Sequence, residues 1–392
     1  PQTLFALERH MDRVADELQM DPVELRRTNL IRDGQSTSTG QVIDDGTDRD
    51  AVLDRALEMS GFRDRAARHA RFNQEHPYLR RGVGLATFYH GAGFTGGGEV
   101  RLASEVHVAG RPDGAIEIRT ASVEMGQGTL TLFTQLACDR LGLGQEDVHV
   151  AEPDTARVPD SGPTVASRTA MIVGHMVEGA CDDLRQRVGA PEGTRGVSLK
   201  NAIAAWHLEH PGQTVVGSAR YRKPPGLEWD EDTYRGDAYG TFAWAAYVAE
   251  VEVDLRTFGT RVTDFVAVQE IGALLNETLA RGQIQGGVVQ AVGWALMEDC
   301  AFRGGAMVNN QLTNYIIPTS DDVPPIRVDF LENPYEYGAQ GAKGIGELPM
   351  DGPAPAIANA VAAATGADPT VIPLTPERLM ALLDGHPARE RP

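Results

Sequence analysis

Twice along this chain, two strand-like runs joined by a tight turn lead into glycines and then an apolar helix. In the first pass, strands at 104–109 and 115–121 flank Pro112-Asp113-Gly114, and Gly126-Gln127-Gly128 opens a helix over 129–141. In the second, strands at 244–254 and 261–269 flank Phe258-Gly259, and a glycine turn at Gly282-Gln283 opens a helix ending near 298. Apolar alternation broken by Pro, Asp and Gly marks hairpins, whereas helical spacing of apolar residues marks the segments that follow them. The pattern predicts an α+β fold with two pseudo-repeated modules of hairpin, glycine turn and helix.

The flanks follow the same rules. Leu4, Leu7, Met11, Val14 and Leu18 recur at helical spacing, and Asp21-Pro22 supplies a cap and a first-turn proline for a second short helix. Residues 33–50 are polar and form a loop, and 51–72 are again helical. After Pro77 the sequence turns glycine-rich and strand-like, which sets the main boundary. Residues 1–76 are expected to form a helical connector, 77–240 the first module and 241–392 the second. The C-terminal part holds a Pro-rich strand region at 315–331, a glycine loop at 338–346 and an Ala-rich helix at 354–364.

Charge removes several functions. With 55 acidic and 36 basic residues the net charge is −19, a field that repels phosphate backbones and anionic lipid. No apolar run reaches the length of a membrane span. Cys138, Cys181 and Cys300 are the only cysteines and form no CxxC pair, so a zinc site or cysteine-ligated cluster is not expected, and a reducing, cytoplasmic compartment is. Residue 1 is Pro, with a helix already under way by Leu4, so an upstream portion is expected, whether missing or on another polypeptide.

Three segments can carry chemistry. Glu124-Met125-Gly126-Gln127-Gly128-Thr129 would present backbone amides at a helix N-terminus to an anion, or bare backbone to a flat ring; read locally, it is an ordinary turn capped by Thr129. Residues 159–169 gather hydroxyls around Arg168 and would suit a loop that hydrogen-bonds a polar ligand, although a solvated turn and helix cap explains them locally. Gly338 to Pro349 ends in Glu347, which is expected to lie in a partly apolar setting with raised proton affinity, as a general base. Gly344 follows Lys343 where a P-loop needs Ser or Thr. A GxGxxG string at 91–96 is followed by strand-like sequence, not by the helix of a Rossmann turn. The histidines are scattered.

Taken in order, FALERHMDRVADELQMDPVELRRTNL (5–30), VEMGQGT (123–129), residues 154–169, GQIQGGVVQAVG (282–293), NYIIP (314–318) and GAKGIGELP (341–349) resemble one family. It is the molybdenum-cofactor-binding subunit of the xanthine dehydrogenase/aldehyde oxidase family of molybdenum hydroxylases. That subunit is about twice as long, so the chain resembles its C-terminal portion, separately encoded or cleaved.

The resemblance implies roles by position. Gln127 would contact the pterin, with Met125, Gly126 and Gly128 lining it. Thr164, Ala166, Ser167, Arg168 and Thr169 would wrap it, joined by Gln283, Lys343 and Gly344. Val165, Ala166 and Phe94 would wall the substrate pocket, and Glu347 would be the catalytic glutamate. No side chain would ligate molybdenum, which the pterin holds. The implied cofactor is molybdopterin, in the cytosine dinucleotide form if the source is bacterial. The implied partners are a chain with the N-terminal half of the subunit, a 2Fe–2S subunit and an FAD subunit. The reaction would be hydroxylation with water as oxygen source, on a purine- or nicotinate-like N-heterocycle, to which the form of residues 160–163 leans. An aldehyde substrate and a catalytically silent structural subunit are the alternatives.

Overall fold

The computed structural model describes residues 1–385; residues 386–392, the end of the expected second module, lie outside the described residues. In chain order the elements are α1 (Gln2–Leu18), α2 (Pro22–Asn29), α3 (Arg49–Ser60), α4 (Phe62–Glu75), β1 (Leu79–Gly91), α5 (Gly98–Leu102), β2 (Glu105–Gly110), β3 (Ile116–Arg119), α6 (Thr129–Leu141), β4 (Val148–Val150), α7 (Gly174–Arg187), α8 (Gly196–Glu209) and β5 (Val216–Arg220). A short ribbon, β6 (Trp229–Asp230) and β7 (Arg235–Gly236), precedes β8 (Phe242–Asp254), β9 (Gly259–Glu270) and α9 (Glu277–Leu296). A second ribbon, β10 (Phe302–Arg303) and β11 (Ala306–Met307), leads to β12 (Ile326–Leu331), α10 (Leu348–Asp351), α11 (Pro353–Thr365) and α12 (Pro376–Leu383).

Two four-stranded sheets organise the chain, ordered β4-β3-β2-β5 and β1-β8-β9-β12. Each is centred on an antiparallel hairpin, and after the following helix the chain returns as a parallel strand, β4 beside β3 and β12 beside β9. β1 lies in the stretch expected to belong to the first module, yet it pairs with β8 along its whole length, from Leu79 opposite Asp254 to Gly91 opposite Phe242.

Several local expectations need correction. Gly282-Gln283 is no turn: α9 already runs from Glu277, because the Asn276 side chain accepts from Leu279 N–H and starts the helix earlier. The helical stretch at 51–72 is two helices, divided at Gly61, whose φ of 60° ends α3. Of the strand region at 315–331 only Ile326–Leu331 is a strand. A one-turn helix, α5, follows the GxGxxG string, although β1 before it is an antiparallel strand.

The first eight residues of β8 are all buried, because helices cover both faces of its sheet. On one face Phe88, Tyr247 and Phe265 pack against Ile284 and Val288 of α9 and Ile357 and Val361 of α11. On the other, Leu85, Val248 and Val266 meet Val52, Leu53 and Ala56 of α3. Each large apolar side chain buried in this way stabilises the fold by about 1.5–3 kcal/mol. The Ala-rich α11 lies directly on β1, since a Cβ on Gly82 or Gly84 would fall 2.0 or 2.2 Å from the carbonyl oxygens of Ala360 and Ala356. The other sheet forms its own core with α6, α7 and α8 around Phe133, Leu136, Leu184 and Ile203.

Candidate functional site

A cleft of about 450 Å³ opens between the two halves. One wall is the turn before α6 with residues 164–170; the other is residues 271–283 with the Gly-rich stretch 342–347. Met125, Gln127, Gly128, Thr164, Val165, Ala166, Ser167, Thr169, Gln283, Lys343 and Glu347 all line it, although the first and last are far apart in sequence.

The turn before α6 does not wait for an outside anion. The Glu124 carboxylate accepts from Gly126 N–H and Gly128 N–H at 2.7 and 3.0 Å, and from Leu130 N–H at 3.1 Å. Burial opposes ionisation of Glu124, but these amides outweigh it and lower its pKa. The anion site expected at this helix start is thus filled from within. Gln127 is committed as well: its amide donates to Val123 O and Thr129 Oγ1, and its oxygen accepts from Met125 N–H. By contrast, no hydrogen bond engages the half-buried Gln283 amide from α9 among the described residues, and it is available to a guest.

Residues 164–169 are strained. Ala166 and Ser167 have φ of 54° and 53°, two successive left-handed non-glycine residues. The turn is bolted down by Arg168, which does not line the cleft. Its buried guanidinium grips Glu99 at 2.8–3.2 Å, Ser161 O at 2.7 Å and Ser104 Oγ at 2.9 Å. Arg168 is therefore an anchor, not a wrapping residue. Ser161 is likewise fully buried, donating to Glu105 O, so residues 160–163 do not shape the cleft. Gly344 also lies outside the lining; a Cβ there would sit 1.9 Å from Ser167 O, so this glycine lets the strained turn press against the Glu347 loop. Lys343 lines the cleft only with its chain, because Nζ turns inward to Glu270 Oε2 at 2.6 Å. Gly126 is exposed and outside the lining. Phe94 faces a different cavity, of about 1110 Å³, with Tyr221, Trp229 and Tyr335.

Glu347 stands at the cleft rim. Ser167 Oγ donates to its Oε2 at 2.9 Å and accepts from its N–H at 2.9 Å. His90, at the end of β1, places Nε2 3.5 Å from the same Oε2, and its Nδ1 lies 2.7 Å from Asp351 Oδ2. The expectation of raised proton affinity is overturned. The carboxylate is half exposed, and His90, ahead of any burial effect and aided by Ser167, lowers its pKa. Sequence reading missed His90 and Asp351 altogether. The available signal was Asp351 four positions after Glu347, one helical turn away.

A flat, neutral heterocycle suits this donor set: a free carboxamide, the Thr164 and Thr169 hydroxyls, and close-approaching backbone from a turn and a glycine loop. Among the described residues no group of three or more His, Cys, Asp or Glu is placed to hold a metal ion, and no helix is long and apolar enough to cross a membrane.

Comparison with known proteins agrees. The profile of the molybdopterin cofactor-binding domain matches residues 55–324, and a second profile of the same description matches residues 1–30. A probable xanthine dehydrogenase subunit of Bacillus subtilis is 30% identical over 98% of this chain and 52% of its own. The aldehyde oxidoreductase of Desulfovibrio gigas superposes with a TM-score of 0.83 at 29% identity, over 98% of this chain and 41% of that one. Quinoline 2-oxidoreductase of Pseudomonas putida gives 0.84 at 27%, over 98% and 52%. The chain spans about half the length of the relatives it matches. A cleft suited to a neutral heterocycle, a matching domain profile over most of the chain and these superpositions agree on one assignment: the chain belongs to the molybdenum-cofactor-binding subunits of the xanthine dehydrogenase/aldehyde oxidase family.

Proposed function

We propose that this chain supplies the general base and one side of the cofactor cleft in a molybdenum hydroxylase. Its substrate is an electron-poor carbon of a purine- or nicotinate-like N-heterocycle. The observation that carries the reading is Glu347, a carboxylate kept ionised at the rim of a cleft whose other lining groups are neutral or turned away. The similarity to quinoline 2-oxidoreductase supports a ring substrate.

Molybdopterin, when bound, would carry the molybdenum that supplies two-electron redox chemistry, with water as the oxygen source. Gln283, Thr164 and Thr169 would hold the pterin by hydrogen bonds, and the backbone at 164–167 would pack against its ring. Glu347 Oε2 is occupied by Ser167 and faces His90, so Oε1 is the oxygen that takes the proton. Burial of the rim by substrate raises the carboxylate's basicity at the moment it is needed. The lining's one cation among the described residues, Lys343, is bound to Glu270, so the phosphates of a cytosine dinucleotide form would draw their positive charge from outside this lining. The partners in this reading are a chain with the other half of the subunit, a 2Fe–2S subunit and an FAD subunit in the cytoplasm. The three cysteines here are free thiols far apart in sequence.

The test is metal and pterin analysis of the assembled enzyme, with turnover of hypoxanthine, nicotinate and benzaldehyde using a dye acceptor. Glu347→Gln is expected to keep molybdenum and pterin while losing about 10²–10⁴-fold in turnover. Unaltered turnover, or an enzyme with neither molybdenum nor pterin, overturns the reading. Preference for benzaldehyde would replace the ring substrate by an aldehyde.

A further inference from the structure

His90 is held from both sides. It is the penultimate residue of β1, where the sheet register sets it opposite Ala243, so its backbone is fixed by the longest strand pairing among the described residues. Asp351, the last residue of α10, is 1% exposed and meets Nδ1. Glu347, immediately before α10, faces Nε2. The four residues of α10 thus bring two carboxylates, one turn apart, onto the two nitrogens of one ring.

This arrangement decides the ring's proton count. A neutral imidazole with its proton on Nδ1 would turn a lone pair toward the Glu347 carboxylate, and the other tautomer would turn one toward buried Asp351. Only the doubly protonated ring suits both neighbours. Other polar groups near the pair are Ser167 on the strained turn and the Tyr247 hydroxyl of β8, which donates to Gln269.

We infer that His90 is a positioning residue for Glu347: braced by Asp351, it fixes the carboxylate's orientation at the rim and directs Oε1 toward the cleft. The inference rests on the reading of Glu347 as the base. Burial draws the His90 pKa down, but the hydrogen bond to Asp351 and the facing Glu347 carboxylate prevail and raise it to about 9. An imidazolium persists through neutral pH, and the brace loosens on the alkaline side.

The experiment uses the assembled enzyme and two readouts. Histidine C2-hydrogen exchange, followed by peptide mass spectrometry across pH, gives the His90 midpoint without turnover. It is expected at about 9 in the native enzyme, and shifted toward the ordinary 6.5 in Asp351→Asn. Turnover of hypoxanthine and nicotinate is expected to fall about 10²-fold in His90→Ala, the scale of a misplaced catalytic group. It should recover in part in His90→Gln, which keeps a donor and loses the alkaline limb of the pH profile. A native midpoint near 6.5, or His90→Ala with native kcat and pH profile, overturns the inference. Should Glu347→Gln keep native turnover, the base reading falls and the catalytic part of the positioning role with it, while a native midpoint near 9 still shows the His90 clamp and one near 6.5 overturns that as well.

Discussion

Ser167 and Glu347, 180 positions apart, hold one another through a single hydroxyl, which donates to the carboxylate and accepts from the same residue's backbone N–H. The pairing explains why strain is kept at this point. Two left-handed residues cost about 1–2 kcal/mol each, and they turn the hydroxyl onto the rim.

Ser167→Ala keeps the strain and removes the bond, whereas Ser167→Gly removes the bond and Ser167's own share of the strain, leaving that of Ala166. Both variants should lower kcat/KM by about 10–100-fold, the value of a hydrogen bond to a charged group. Only Ser167→Gly should hold or gain thermal stability. Parallel melting curves and steady-state kinetics separate the two effects.

Arg168 and Glu99 form a fully buried pair beneath the same turn. Removing one partner strands a charge, so Arg168→Met should destabilise by about 3–5 kcal/mol in denaturant unfolding. Arg168→Met with Glu99→Leu should regain most of that loss, because no charge is then left unpaired.

Gly344 and Gly282 test the placement of glycines. Gly344→Ala drives a Cβ onto Ser167 O and should cost at least about 1–3 kcal/mol. Gly282 lies inside α9, where a Cβ would meet nothing within 4 Å, so Gly282→Ala should stabilise by about 0.5–1 kcal/mol. A turn at Gly282 would give the opposite sign. Thermal unfolding decides it.

Glu124 occupies the amides at the start of α6. Glu124→Ala should destabilise by about 0.5–2 kcal/mol and let sulfate bind at the freed amides, a gain seen as a rise in melting temperature with added sulfate. Because the Glu124 pKa is lowered on folding, its contribution is present above the ordinary carboxylate range and fades as pH falls below it.

The His90 clamp has the opposite sign. Its folded pKa is raised from 6.5 to about 9, so its stabilisation is complete below 6.5 and is lost as pH rises through about 9. Melting temperature should therefore drop more steeply on the alkaline side in the native chain than in His90→Gln.

Local signals were enough for much of the fold. Periodicity located α1, α6, α11 and the two hairpins, and the Asp21 cap located α2, because spacing and capping act over one or two turns of chain. The ordered motifs reached the family and brought Gln127, Ser167, Gln283 and Glu347 to one cleft. Where a side chain points was decided elsewhere. That β1 joins β8 and carries His90 to Glu347 depends on a strand pairing across some 150 residues. That Glu124 fills its own helix start, that Arg168 turns inward and that Phe94 faces the other cavity depend on which polar groups meet when the sheets close. Burial and electrostatics act through space, and only the packed structure sets that distance.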